Sequence, residues 1–233
     1  MDFLESCLDE IALEGLDGVT VSVLWMRLGN RQDFPLKLDD DSKIYIWSWL
    51  SRSTDVEFYE LVELRHPLVL TNRFQNVCPN AGVIVEVEPP KDIYPISIVN
   101  NDGVRGSCST YKTRHNITAE IRTSPPVALS QAMNTWGDGL VIVASQPCRE
   151  LSIYGPEQRP ALEINDLQYC ILERVGRSRY LGEVTLGLAS LTVFGESPKS
   201  MFYHLKLLVR MGIITKQAES MNGWEHDTKP LSS

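Results

Sequence analysis

Apolar residues fall at helical spacing through the first fifty positions. Over residues 2–14, Phe3, Leu4, Cys7, Leu8, Ile11 and Ala12 form one stripe, and "EGLDG" ends it. Thr20 is placed to cap a second helix over Val21–Leu28, carrying Leu24, Trp25 and Leu28. Beyond a proline-containing loop, "DDDSKIYIWSWLSRS" reads as a third helix. It puts Ile44, Trp47 and Leu50 inward and its acids at the end the helix dipole favours. "VEFYELVEL" then alternates like a strand, and "LVL" at 68–70 is expected to pair with it. Three helices and a β-hairpin in this order predict a winged helix, a variant of helix-turn-helix, over residues 1–90.

The pattern changes after residue 90. "DIYPISIV" and "LVIVASQ" read as strands, and "PPVALSQAMNTWG" as a helix opened by proline and closed by glycine. Residues 91–160 are expected to be a mixed α/β connector, ending in "YGPEQRPALEIND", a linker with two prolines.

The third stretch, 161–216, repeats the opening plan. "DLQYCILERVG" is a helix with Leu167, Cys170, Ile171 and Val175 inward. "YLGEVTLGLAS" is a second, weakened by Gly182 and Gly187, each costing about 1 kcal/mol in a helix interior. In "SPKSMFYHLKLLVRMGIIT", Ser197 is the cap, Pro198 the first helical residue and Gly212 the stop, and "IIT" begins a wing. After Lys216 no returning strand follows, and residues 217–233 are a polar tail expected to be disordered. The fold class is therefore α+β, with two winged helices joined by a connector.

The helix opened by Ser197 carries two stripes. Met201, Leu205, Leu208 and Gly212 face a core, with Phe202 and Val209 at its edge. Lys199, Tyr203, Lys206 and Arg210 lie opposite, three cations and a tyrosine without a carboxylate. Such a stripe is either a plain solvent face or the outer side of a recognition helix, where cations meet phosphates and the helix enters a major groove. His204 sits at the boundary of the core stripe and is a weak candidate base reader.

Charge sharpens the choice. The 233 residues carry a formal −8, which argues against nucleic-acid binding over the whole surface. The distribution is uneven: residues 1–65 hold 6 Lys+Arg against 14 Asp+Glu, and residues 166–216 hold 7 against 4. An acidic front and a basic back point to different partners at the two ends. In "ERVGRSRY", Arg174, Arg177 and Arg179 surround Gly176; they either hold a phosphate or stabilise a helix C-terminus. In "RGSCSTYKTRHNIT", Arg105, Lys112, Arg114 and His115 either rest on a DNA backbone or pair with acids of the first unit. Asp39, Asp40 and Asp41 make the first unit a poor DNA binder. Either Trp47, Trp49 or Tyr45 would hold a protein partner, or the unit packs against the middle segment, with Trp25 and Trp47 also readable as core.

Other chemistry is thin. Cys7, Cys78, Cys108, Cys148 and Cys170 are scattered, without zinc-ligand spacing, and no motif calls for a metal, a cofactor or a small-molecule substrate. There is no P-loop, G-x-S-x-G or H-E-x-x-H, and "YCIL" puts Cys170 on a buried face, so an enzyme is not expected. No apolar run approaches a membrane span, and the acidic N-terminus lacks a secretory pattern; the chain is expected to be intracellular.

Several strings together resemble one family. "LESCLDEIALEGLDG", "DIYPI", "DGVRGSC", "YKTRHNIT", "LVIVASQ", "YCILERVGRSRYLGE" and "YHLKLLVRMGIIT" run in the order found in the N-terminal region of the largest subunits of general transcription factor IIIC. That factor marks the internal promoters of tRNA genes for RNA polymerase III. The resemblance covers residues 1–216 and implies that the second winged helix binds the B block of double-stranded promoter DNA. It also implies a nuclear protein working beside other subunits of that complex. After Lys216 the chain is expected to leave the family pattern, as a truncated form ending in unrelated residues.

Overall fold

The computed structural model describes residues 3–32, 34–66, 68, 97–101, 103–155, 164–183 and 195–216. The opening helices form where the apolar stripes predict. α1 spans Phe3–Ala12, and α2 spans Val21–Asn30 behind Thr20, whose hydroxyl accepts from the Val23 amide at 3.4 Å. α3 spans Asp40–Leu50 behind Asp39, which accepts from the Ser42 amide at 2.9 Å. Ile46, Trp47 and Leu50 set the inward face of α3. Ile44, expected inward, stands about a third of a turn off that face and is exposed.

The sheet is assembled from distant pieces. β1 (Val19–Thr20), β2 (Val56–Glu60), β5 (His115–Asn116) and β6 (Leu140–Ala144) form one antiparallel sheet in the order β1-β6-β2-β5. β6, read from sequence as part of a separate connector, is an inner strand. It pairs with β1 at Val19↔Ile142 and with β2 from Val56↔Ala144 to Glu60↔Leu140. The uninterrupted "LVIVA" suits that place, because it is buried on both faces. One face, with Leu140 and Ile142, joins Cys7, Ile11, Leu24, Leu28, Trp47 and Phe58 in the main core. The other face, with Val141 and Val143, packs on Leu16, Leu61 and Cys108. The strand expected at 68–70 lies largely outside the described residues.

Between these strands, β3 (Ile98–Asn101) and β4 (Val104–Ser107) pair as a hairpin. A one-turn helix, α4 (Thr118–Ile121), is followed by α5 (Leu129–Trp136), which begins past the prolines expected to open it and stops at Gly137. α6 (Gln146–Tyr154), not foreseen from sequence, follows β6 after Ser145.

α7 (Asp166–Arg177) opens with Asn165 and Gln168 capping each other's backbone amides. It has no exposed residue along its length. It packs on the β3–β4 hairpin and α6. It also shares a second core, Ile164, Tyr169, Ile171, Leu172, Met201 and Leu208, with α8 (Pro198–Arg210). Arg179–Leu181 forms a single 3-10 turn; the rest of the helix expected there lies outside the described residues, as does the tail 217–233. α8 ends in a Schellman turn: Gly212, at φ 72°, donates to Val209 and Ile213 donates to Leu208. The wing expected from Ile213 is not a strand among the described residues, where Ile213 and Ile214 instead pack on the second core.

Candidate nucleic-acid interface

α8 is anchored along one side and open along the other. Met201 and Leu208 are buried, and Leu205 packs beside them. Lys199, Tyr203, Lys206 and Arg210 are all exposed, and among the described residues none of the three cations makes an ion pair. The first turn is held by Ser197, whose hydroxyl accepts from the Ser200 amide at 3.2 Å. His204 does not reach the outer face. Its Nδ1 lies 3.2 Å from Gln168 Nε2 and its Nε2 lies 3.4 Å from Ser200 Oγ, so it joins α8 to α7.

The second basic cluster is engaged elsewhere. Arg179 sets Nε and Nη2 on Glu10 Oε2 at 2.9 and 2.8 Å and reaches Glu14 Oε1 at 3.0 Å. Arg177 meets Glu14 Oε2 at 3.1 Å and Asp17 Oδ2 at 3.3 Å, and Arg174 meets Glu183 Oε1 at 3.0 Å. Arg27 of α2 also joins Glu14, at 2.9 Å. Burial pushes the Glu14 carboxyl up, but Arg179, Arg177 and Arg27 together bring it below its ordinary value. A phosphate at Arg174, Arg177 or Arg179 would have to displace these carboxylates. Part of the basic back, Arg177 and Arg179, is therefore paired with acids of the front.

The middle cluster divides. Arg105 meets Asp166 Oδ1 at 2.9 Å and lies over the Tyr169 ring. Arg114 is buried, 4.0 Å from the Tyr59 ring centre, and donates to the Leu16 carbonyl at 2.8 Å. Lys112 and His115 are exposed. On α3, Trp47 is core: its Nε1–H donates to the Val127 carbonyl at 2.8 Å and its ring meets Phe58 edge-on. Trp49 is half-buried against the same core, while Tyr45 is exposed beside Phe3.

Sequence reasoning missed Glu173, a lone acid in "ILERVG". It is buried in α7 and accepts from the amides of Leu16 at 3.1 Å and Ser107 at 2.8 Å, with Arg149 Nε 3.7 Å away. Gly106 passes so close that a Cβ there would lie 2.6 Å from the carboxylate. Burial pushes Glu173 up to about 7, against the pull of Arg149 and the Ser107 amide. No local pattern announces such a residue, because its partners come from three distant segments. Among the described residues no cluster of ligands could hold a metal ion, and no described helix is long and apolar enough to cross a membrane.

Comparison with known proteins gives this geometry a context. Residues 1–111 match a family model described as the winged-helix domain of general transcription factor 3C polypeptide 1. Residues 165–232 match one described as the B-block binding subunit of TFIIIC. The second match continues to residue 232, so the likeness runs past Lys216, where the sequence had been expected to leave the family. The chain is 40% identical over 227 residues to general transcription factor 3C polypeptide 1 of Homo sapiens, and likewise to that of Mus musculus. Each match covers 94% of this chain and 11% of the relative's own length, so the chain spans about a tenth of these proteins. With an α+β fold, a winged-helix match at its front and a B-block match at its back, the chain belongs to the family of general transcription factor 3C polypeptide 1, the B-block binding subunit of TFIIIC.

Proposed function

We propose that this chain is a DNA-binding, promoter-recognition module of RNA polymerase III transcription, engaging the B block of tRNA genes. Two winged helices carry it: a front unit whose sheet is completed by β6, and a rear unit of about residues 161–216 that presents α8 to the major groove. The observation that carries this reading is the outer face of α8. Lys199, Lys206 and Arg210 are exposed and free of carboxylates among the described residues, inside the segment that matches the B-block binding family. They hold phosphates, and the first two turns of α8, with Lys199 and Tyr203, come nearest to base edges. Arg174, Arg177 and Arg179 are left out of this interface, because their guanidiniums sit on carboxylates. The module works in the nucleus, beside other subunits of TFIIIC, and needs no cofactor.

The test is titration of the chain into a fluorescent B-block duplex and a scrambled one at two salt concentrations. The expected result is preference for the B block and affinity that falls steeply with salt. Replacing Lys199 and Lys206 by Ala should weaken binding and flatten the logarithmic salt slope by about two. An unchanged slope would remove α8 as the contact surface.

A second reading, an assembly scaffold without DNA binding of its own, is favoured by α3. Ile44 and Tyr45 are exposed there beside Asp39, Asp40 and Asp41, a face suited to a protein rather than to phosphates. Stable binding to other TFIIIC subunits with no duplex affinity would select it.

A further inference from the structure

Phe202 shares the open side of α8 with the cations, and phosphate contacts give it no task. It is 54% exposed, Tyr203 is 59% exposed, and Val209, seven residues on from Phe202 and on the same line of the helix, is also exposed. The Phe202 and Tyr203 rings meet edge-to-face, with centroids 5.9 Å apart at 72°. That contact fixes an apolar surface over the first two turns rather than leaving two rings to swing separately. Lys199 stands three residues before Phe202 and Lys206 four after, so both are its neighbours along the helix. Two exposed cations thus bracket an aromatic ring along the helix.

The major groove offers such a ring one apolar group. Guanine, cytosine and adenine present donors and acceptors, whereas thymine adds a C5-methyl. The charged ends of lysine and arginine gain nothing from a methyl group; an aromatic side chain placed between them does. We infer that Phe202, with Tyr203 packed edge-on against it, is a thymine reader that contacts the 5-methyl group in the major groove. This rests on the duplex-binding reading above and names the base chemistry that the same face recognises.

The experiment titrates the full chain into the B-block duplex carrying thymine, and into the same duplex with every thymine replaced by deoxyuridine, at one salt concentration. The replacement removes the methyl groups and leaves every hydrogen-bonding edge unchanged. Wild type should lose about 3- to 10-fold in affinity on the deoxyuridine duplex. Phe202→Ala should bind both duplexes alike, close to the wild-type value on deoxyuridine. Lys206→Ala should weaken both by one common factor. Because Phe202 is half-exposed, its truncation should leave the thermal melt of the chain unchanged, which circular dichroism checks. B-block preference with equal affinity for the two duplexes would overturn this inference and leave the duplex-binding reading standing. A thymine preference that survives in Phe202→Ala would also overturn it, by placing the reader elsewhere. No preference for the B block over a scrambled duplex would overturn both.

Discussion

Arg179 lays its guanidinium on Glu10, 169 residues earlier in the chain, and does so from φ 55°. Among the described residues it is the one non-glycine in the left-handed region, a conformation that costs a β-carbon-bearing residue on the order of 1 kcal/mol or more. The backbone is held there by what the side chain reaches: Glu10, Glu14, and the carbonyls of Glu10, Leu13, Gly176 and Arg177. Arg31, just past the end of α2, completes the network by pairing with Asp9 and Glu10. The base of α7 is thereby joined to the end of α1. α8 packs on α7 through the second core, so the front unit fixes the platform that carries the cationic face.

Removing that joint should be expensive. Arg179→Ala leaves Glu10 with one fewer cation and Glu14 with two of its three, both nearly buried, and should cost about 3 kcal/mol in urea unfolding. Arg179→Gly should recover about 1 kcal/mol of that by relieving the backbone. The decisive readout is the salt slope of duplex binding below the unfolding transition. A phosphate contact would lower it by about one, whereas a residue held on Glu10 leaves it unchanged.

Glu173 should give the folded chain an unusual pH dependence. Its ordinary value is 4.5 and burial raises it to about 7 in the folded state. The folded chain therefore keeps this proton where the unfolded chain has released it. Stability from this group is full below pH 4.5, declines as pH rises through the interval, and levels off above about 7, a loss of up to about 3 kcal/mol. Glu14 acts in the opposite sense: its folded value is lowered, so its contribution is present above 4.5 and lost as pH falls. Glu173→Gln abolishes the first effect and keeps the second. Its amide nitrogen would face the Leu16 or Ser107 amide, a donor against a donor, so the variant should be weaker overall. Unfolding at pH 5 and pH 7.5 should show wild type losing stability over that interval relative to the variant.

What was legible in the sequence was local. The caps at Thr20 and Ser197 are read correctly because a hydroxyl finds its amide three residues away, and the acids before α3 supply a third cap, at Asp39. The outer face of α8 was legible too, since one helical period places Lys199, Tyr203, Lys206 and Arg210 together. Non-local choices were not. "LVIVA" announces a buried strand but not that it will lie between Val19 and Val56, more than eighty residues upstream. The cluster "ERVGRSRY" shows three arginines without showing that Glu10, Glu14 and Asp17 will reach two of them before any phosphate does. Ile44 was misplaced because three other apolar residues fit a better inward face of α3.

Trp47 and Tyr45 separate core from surface on α3. Trp47→Phe keeps most of the ring but leaves the Val127 carbonyl without its 2.8 Å donor, and should cost about 1–3 kcal/mol. Tyr45→Ser should change stability by less than about 0.5 kcal/mol, since the ring is largely in solvent. If the chain is the assembly scaffold of the second reading, pull-down of other TFIIIC subunits should weaken when Ile44 and Tyr45 are replaced together, and unchanged pull-down would remove α3 as the docking face.

Ser197 allows helix order and charge to be pulled apart at the start of α8. Its hydroxyl accepts from the Ser200 amide, so Ser197→Ala should cost about 1 kcal/mol and loosen the turn that carries Lys199. Duplex affinity should fall by a few fold through disorder alone, with the salt slope unchanged. Ser197→Asp retains a good cap and a favourable charge for the helix dipole, so stability should be held. It also adds a negative charge at the N-terminal end of α8, close to where Lys199 would meet a phosphate. Duplex binding should then drop further than with Ala, while the thermal melt moves little. If the aspartate variant bound DNA as tightly as wild type at low salt, the first turn of α8 would lie outside the phosphate contacts. The interface would then have to centre on Lys206 and Arg210 instead.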